Sequence, residues 1–360
     1  MLNMLTDIFA IRYADRPIWS EFREADRVLL VQGFRMVAEQ LFPPNGKGVH
    51  EYPAKSSWSN IQSRLSMELG MESLSPLNWG YYNQQNLWMS GAYSMDHVCK
   101  TWMLSTYDGK QTADTFMKQR ISFIELSFRE RMSTVKQEVE RAASLLTSTS
   151  KVSSAPQPLS TSKLTAALKP AQEGFAKLKN SQAEHSARFF RSTCDELNER
   201  FKQAKIPLSY HAGFVQVAGD SFIEESISKP FWSVIADPKW NNVTIDMAEA
   251  VDRRESAQRD PALYAAKALE SVLKIISDEK GWTTGKEKSA SNYIDNLRSG
   301  KNGAFVAEWE AEGLRHFFSR VRNELGHGPG GEPMPQMTQQ QTEWAISIAM
   351  AWTKSMVTRV

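Results

Sequence analysis

From Pro261 to Gly281 the sequence reads PALYAAKALESVLKIISDEKG, a run with apolar residues at steps of three and four. Such spacing puts the apolar residues on one face of a helix. The members of this face are Ala265, Ala268, Leu269, Val272, Leu273 and Ile276. Pro261 suits the first helical turn and Gly281 the residue that follows the last one. Glu270 lies one step off the apolar face, where an acidic side chain can reach a neighbouring helix.

Further segments on both sides of this run carry the same helical spacing. They read VTIDMAEAVDRRE, SNYIDNLRSG, FVAEWEAEGLRHFFSRVRNELGHG and TEWAISIAMAWTKSMVTRV. Glycines such as Gly300, Gly326 and Gly328 mark helix ends. Together these signals predict a helical bundle over residues 237–360.

Residues 1–143 predict a second, mostly helical domain. Helical spacing is found in WSEFREADRVLLVQGFRMVAEQLF and in TADTFMKQRISFIELSFRERMSTVKQEVERAASLL. The insert between them, residues 76–107, is rich in Trp, Tyr, Asn and Gly and could form a small sheet or a long packed loop. Trp79, Trp88 and Trp102 could stack on a ligand or a base, although aromatic side chains more often belong to a core.

The segment 144–170 is rich in Ser, Thr and Pro and has little apolar periodicity, which predicts a flexible linker. Residues 171–236 predict a small α+β connector, with a helix through FFRSTCDELNERFKQAK and a β-hairpin in IPLSYHAGFVQVAG. Ala212 and Gly213 occupy its turn region. The predicted fold class is therefore mainly α, with an aromatic insert, a small α+β connector and a C-terminal bundle.

The composition excludes several classes of protein. The chain has 360 residues, of which 41% are hydrophobic and 23% charged, values typical of a soluble globular protein with more than one domain. A net charge of +2 gives no strong overall field toward nucleic acid or anionic membranes. The cysteines, Cys99 and Cys194, form no CxxC pair, which argues against a disulfide framework or a cysteine zinc site and favours a reducing, cytoplasmic compartment. No apolar run is long enough to predict a membrane-spanning helix.

The sequence does not match the common catalytic motifs. GWTTGKEKS has one residue too few between Gly281 and Gly285 for a phosphate loop, and Glu287 stands where Ser or Thr would hold magnesium. GHGPGG follows a predicted helix and so differs from a dinucleotide fingerprint. No GxSxG or HExxH occurs, and the 6 histidines are scattered. We therefore predict no metal or cofactor.

One helix end stands out, residues 317–331, which read FFSRVRNELGHGPGG. Arg322 and His327 would point about 140° apart on an ideal helix. Gly326 could end the helix and let His327 fold back beside Arg322 and Asn323. A structural role is equally consistent with the spacing, because histidine is favoured at a helix C-terminus and an arginine there commonly pairs with a carboxylate such as Glu324. Arg320 also lies within a looser window of His327.

These residue types suit RNA cleavage by the adjacent 2′-hydroxyl. Histidine can take or give a proton near neutral pH. Arginine can grip phosphoryl oxygens in a two-point contact. Asparagine can orient the scissile group. One copy offers a base or an acid but not obviously both, so two copies that face each other in a homodimer would complete the set.

The sequence also resembles a known family. ALYAAKALESVLKIISDEKGW, GKEKSASNYIDNL, WEAEGLRHFFSRVRNELGHGPGG and QTEWAISIAMAWTKSM resemble the C-terminal domain of abortive-infection proteins, a branch of the HEPN helical-bundle superfamily. FAIRYADRP, ISFIELSFRERM, DELNERFKQAKIPLSYHAGFVQ and KPFWSVIADPKWNNV resemble AbiJ-type phage-defence proteins. The resemblance covers most of the chain and is thinnest in the aromatic insert and the linker.

The resemblance implies a function and a site. In the HEPN superfamily, an Arg followed by a polar residue and, four to six residues later, a His is implicated in metal-independent RNA cleavage at a dimer cleft. Arg322, Asn323 and His327 match that pattern, and Glu270 is the candidate for an acidic residue on an earlier helix that sometimes assists. The superfamily also contains catalytically silent members that bind RNA, nucleotides or proteins.

Two hypotheses therefore stand at this point. The first is a cytoplasmic, homodimeric endoribonuclease of abortive infection that responds to a phage-derived trigger. In this hypothesis the N-terminal domain, residues 1–143, senses infection or restrains the nuclease. The second is a silent module that binds RNA or protein within a defence system.

Overall fold

The structure is a computed structural model that describes residues 8–47, 49–152, 162–217, 223–255, 258–323 and 337–360. The helices are α1 (Phe9–Arg12), α2 (Glu24–Arg35), α3 (Ala54–Glu68), α4 (Met95–Met103), α5 (Ala113–Val152), α6 (Ser162–Gln203), α7 (Lys229–Val234), α8 (Asn241–Glu255), α9 (Pro261–Glu279), α10 (Ala290–Arg298), α11 (Glu308–Phe317) and α12 (Gln339–Val357). The strands are β1 (Asn78–Tyr82), β2 (Trp88–Ala92), β3 (Leu208–His211) and β4 (Phe214–Val217). Shorter pieces are π-helical (Met36–Leu41, Glu224–Ser228 and Phe318–Asn323) or 3₁₀-helical (Pro238–Trp240 and Gly300–Asn302). The prediction of a mainly α fold is confirmed.

The chain divides into two compact units, Met1–Val217 and Ala218–Val360. In the first unit, α5 packs against α1, α2, α3 and α6. Its core is rich in aromatic rings, and Trp58 stacks on Phe123 with ring centroids 6.4 Å apart. The end of α6 and the hairpin β3–β4 share this core through Phe201 and Tyr210. Most of the segment predicted as a connector therefore belongs to the first unit.

The prediction of a linker at 144–170 needs correction. Helix α5 continues to Val152 and α6 begins at Ser162, so both ends of the segment are helical, while 153–161 lies outside the described residues. Ser144 and Thr147 donate their hydroxyls to backbone carbonyls three or four residues earlier, so these polar side chains are satisfied within the helix. The boundary between compact units falls at 217/218 instead.

The aromatic insert folds as a small sheet followed by a helix. Strands β1 and β2 pair antiparallel, with Trp79 opposite Gly91. A Cβ atom at Gly91 would lie 2.6 Å from Trp79 Cζ2, and one at Gly80 would lie 2.3 Å from Trp88 Cζ2. The tryptophan rings thus occupy space that only glycine leaves open, whereas Trp102 on α4 belongs to the core.

The predicted hairpin in the connector is confirmed. Strands β3 and β4 pair antiparallel, and His211 lies opposite Phe214. Ala212 and Gly213 both have positive φ, which is the turn geometry whose twist matches that of the strands.

The second unit is the predicted helical bundle, and α9 lies at its centre. This helix packs against α8, α10, α12 and the π segment Phe318–Asn323. Its apolar face is fully buried as predicted, with Leu269, Val272, Leu273 and Ile276 at zero exposure. Within the helical segment predicted at 305–328, the structure differs from an ideal α-helix: α11 ends at Phe317 and a π segment follows.

Candidate functional site

Arg322 is presented by the π segment that follows α11. Phe317, Phe318 and Val321 are buried in the core of the second unit and hold the segment against α9. A π turn contains more residues than an α turn, so the 100° step assumed for an ideal helix does not fix the direction of Arg322. Its side chain is 36% exposed and therefore lies at the edge of the bundle.

Glu270 on α9 receives this arginine. Arg322 Nε lies 2.6 Å from Glu270 Oε2, and the glutamate side chain is only 6% exposed. A carboxylate in so dry a position needs a positive partner, because an unpaired buried charge is strongly unfavourable. The contact is made by Nε, the guanidinium nitrogen nearest the backbone, which we call the inner edge. It holds the side chain in place at that edge.

Lys274 binds the other oxygen of the same carboxylate. Its Nζ lies 2.9 Å from Glu270 Oε1, one helical turn along α9, and its side chain is 45% exposed. The ammonium also lies 5.8 Å from the ring centroid of Tyr293 on α10. One buried carboxylate therefore holds two cations that both reach solvent.

A second group of charges on α8 and α9 borders this cluster. Burial raises the pKa of Asp246, and the negative charges of Glu249 and Glu270 raise that pKa further, while Lys267 opposes them. Glu249 itself accepts a hydrogen bond from Arg253 Nε at 2.7 Å. The surroundings of Glu270 thus contain two further carboxylates, Asp246 and Glu249, each with a cation nearby.

The structure brings two of the four predicted site residues together, Arg322 and Glu270. Asn323 ends the same π segment, while Gly326 and His327 lie outside the described residues. Glu270 reaches a neighbouring helical segment, as its place one step off the apolar face predicted. The expected carboxylate partner of Arg322 at this helix end is supplied by Glu270, and Glu324 lies outside the described residues.

Lys274 was missed by the sequence reasoning, although a signal was present. Glu270 and Lys274 are four residues apart on one helix, a spacing at which acidic and basic side chains meet.

The segment GWTTGKEKS forms a turn in which Glu287 organises the backbone. Glu287 Oε1 accepts hydrogen bonds from Thr284 N at 2.9 Å and from Asn296 Nδ2 at 3.2 Å. These donors lower the pKa of Glu287 to about 2. The position that would hold magnesium in a phosphate loop is therefore occupied by a carboxylate that caps this turn.

Within the part of the chain that the structure describes, no group of three or more His, Cys, Asp or Glu side chains could hold a metal ion. Over the same residues, none of the helices combines the length and the apolar character needed to cross a membrane.

Comparison with known proteins gives two family matches. The model of the AbiJ N-terminal domain 4 matches residues 7–233. The model of the HEPN-like domain matches residues 243–358, which contain Glu270, Lys274 and Arg322. Neither the curated proteins nor the solved structures gave a match.

Proposed function

The chain belongs to the AbiJ N-terminal domain 4 family and carries a C-terminal HEPN-like domain, and on this premise we propose that it is a metal-independent endoribonuclease. The two family matches support a role in abortive infection. We propose further that the enzyme is a cytoplasmic homodimer formed through its bundle. The first unit would restrain cleavage until a phage-derived trigger is present.

The observation that carries this proposal is the contact between Arg322 and Glu270. The arginine is held through Nε by a carboxylate that is almost fully buried, and its side chain remains partly exposed. A planar cation anchored at its inner edge is suited to bind the oxygens of a phosphodiester with its outer edge. Glu270 then serves as a positioning residue that presents Arg322 to the substrate.

The proposed reaction needs two proton transfers and one stabilised charge. The 2′-oxygen of RNA attacks the adjacent phosphorus and loses its proton to a base, and the P–O5′ bond breaks as an acid protonates the leaving oxygen. The products are a 2′,3′-cyclic phosphate and a 5′-hydroxyl. His327 would serve as base or acid, Arg322 would stabilise the negative charge on the phosphoryl oxygens, and Asn323 would orient the scissile group.

The test is incubation of purified protein with total RNA and with tRNA in EDTA, followed by chemical mapping of the fragment ends. We expect 2′,3′-cyclic phosphate ends from the wild type and none from His327→Ala. Arg320→Ala is the matched control, because this arginine lies in the same π segment two residues before Arg322. It should cleave like the wild type.

Absence of cleavage by the wild type would be followed by co-expression with phage, which supplies the proposed trigger. If wild type and an Arg322→Ala/His327→Ala variant are then equally harmless and equally inert on RNA, the nuclease proposal is wrong. The remaining candidate would be a module that binds RNA or protein, in which Arg322 and Glu270 serve assembly.

A further inference from the structure

The negative charge of Glu270 is outnumbered by the positive charges of its partners. It has one negative charge and two cationic partners, Arg322 at 2.6 Å and Lys274 at 2.9 Å. By comparison, Glu279 is matched with Lys239 at 3.0 Å and Glu310 with Arg359 at 2.6 Å. The trio of Arg322, Glu270 and Lys274 therefore carries one positive charge in excess.

The excess charge faces solvent. The carboxylate is 6% exposed, whereas the side chains of Arg322 and Lys274 are 36% and 45% exposed. The acidic groups nearby have cations of their own, since Glu249 binds Arg253 and Asp246 interacts with Lys267. A compact pair of exposed cations on a buried anchor is an electrostatic site for an anion.

From this arrangement we propose that Lys274 is a second phosphate-binding residue, which acts beside Arg322 on the RNA backbone while Glu270 positions both cations. The inference rests on the proposed function, because it identifies RNA phosphates as the anions. Arg322 contacts the phosphoryl group that reacts, and Lys274 contacts a neighbouring phosphate that fixes the register of the strand.

The chemistry of the two side chains fits this division. The guanidinium is planar and suits two-point contact with one phosphoryl group, whereas the ammonium is a compact point charge on a flexible stem. The ammonium of Lys274 is paired with Glu270 and lies near the ring of Tyr293, so its position is defined in the absence of RNA. Phosphate contacts of this kind contribute affinity that falls with salt concentration.

The experiment measures binding separately from cleavage. A fluorescently labelled single-stranded RNA of mixed sequence is titrated with His327→Ala protein over a range of salt concentrations. Lys274→Met in this background should weaken binding roughly fivefold at low salt and reduce the slope of log K against log salt by about 0.7, the value for one phosphate contact on a single strand. Lys274→Arg should retain the slope.

Lys239→Met is the matched control, because Lys239 is a similarly exposed lysine that is paired with a glutamate in the same unit. It should bind like the parent protein. Lys274→Gln provides a second neutral variant in case Lys274→Met does not fold.

The outcomes separate the inference from the proposed function. A reduced slope for both neutral Lys274 variants, with the control unchanged, supports the inference even if the wild type cleaves no RNA in any condition. An unchanged slope and affinity for these variants overturns it even if the wild type is an active nuclease. Failure of the parent protein to bind the labelled RNA also overturns it.

Discussion

Each of the two units contains an arginine–glutamate pair with the same N···O distance, but the two arginines differ in their exposure to solvent. Arg12 and Glu125 in the first unit approach to 2.6 Å with side chains only 1% and 0% exposed. Arg322 and Glu270 in the second unit also approach to 2.6 Å, but this arginine is 36% exposed. In both pairs the carboxylate is buried, so the difference lies in what else the arginine touches.

The first pair is enclosed by protein. Arg12 donates two hydrogen bonds to Glu125 and a third to the carbonyl of Val215 at 2.8 Å. Glu125 also accepts from Val215 N at 2.7 Å and from Arg129 at 3.0 Å. These contacts connect α1, α5 and β4. Because the ion pair is buried among protein partners, Arg12 has a structural role.

In the second pair, part of the arginine is exposed to solvent. The same type of ion pair can therefore have a structural role in one unit and a ligand-binding role in the other. An enclosed pair stabilises the fold only while both partners remain, since either one alone is an uncompensated buried charge. A pair with an exposed arginine can hold that arginine ready for a ligand. Substitutions in the two pairs should consequently change different measured quantities.

The largest expected effect is on the stability of the first unit. Arg12→Met should lower the free energy of unfolding by about 3–5 kcal/mol, because Glu125 would remain buried without its main partner. Urea unfolding followed by circular dichroism measures the change. Arg27→Met is the control, since Arg27 and Glu24 form an exposed pair at 58% and 70% exposure. It should leave the urea midpoint close to that of the wild type, because solvent screens an exposed pair. Equal effects of the two variants would show that enclosure does not distinguish the pairs.

The next effect is on catalysis. Arg322→Ala should reduce kcat for RNA cleavage by about 10²–10³, the loss expected when one group that stabilises transition-state charge is removed. The unfolding midpoint should fall by much less than for Arg12→Met, because the Arg322 side chain is 36% exposed and that of Arg12 only 1%, so water can replace the lost arginine at Glu270 more readily than at Glu125. Single-turnover cleavage assays and urea unfolding of the same preparation measure both quantities. A variant that is destabilised as much as Arg12→Met but cleaves normally would reverse the assignment of the two pairs.

Glu270→Gln should have a smaller effect on cleavage, roughly 10- to 100-fold, because Arg322 keeps an amide oxygen as a partner but loses the charge that holds it. Without the carboxylate charge, Arg322 and Lys274 would repel each other. Cleavage rates at several salt concentrations measure the effect. A faster variant would contradict a positioning role and would indicate that Glu270 restrains Arg322.

The smallest expected effect concerns Asp246. Its pKa is raised by burial and by Glu249 and Glu270, so folding disfavours its ionised form and stability is lost as the pH rises through the pKa of the folded state. Asp246 is only half-buried and solvent screens part of this effect, so Asp246→Asn should stabilise the protein by no more than about 0.5 kcal/mol near neutral pH. The gain should vanish below about pH 3.9, where Asp is protonated in both folded and unfolded states. Thermal unfolding between pH 3 and pH 8 measures it, and a gain that persists at the lowest pH would exclude this cause.

Much of the site follows from local sequence. The apolar face of α9 sets the direction of Glu270, and a four-residue step sets the contact with Lys274. The partner of Glu270 could not be predicted in the same way, because it depends on how α9 packs against another segment. The π turns at Phe318–Asn323 have no comparable sequence signal and change the direction of Arg322.

The fold was predictable to a similar degree. Apolar periodicity was sufficient for the bundle, and turn residues at Ala212 and Gly213 were sufficient for the hairpin β3–β4. Composition misled at 144–170, because Ser and Thr hydroxyls can be satisfied by carbonyls of their own helix, so a run of these residues does not have to end it. The enclosed contact between Arg12 and Glu125 left no local pattern, since 113 residues separate its partners.

That separation has a consequence for synthesis on the ribosome. Glu125 is synthesised 113 residues after Arg12, and Val215 203 residues after it. At cellular rates of translation these separations correspond to delays of roughly 6–23 s and 10–41 s. The complete set of contacts around Arg12 and Glu125 can form only after β4 has left the exit tunnel, and the part of the chain that contains Arg322 is synthesised later. The proposed restraining unit is thus synthesised before the proposed nuclease unit, so the order of translation would supply the regulator before the activity that it regulates.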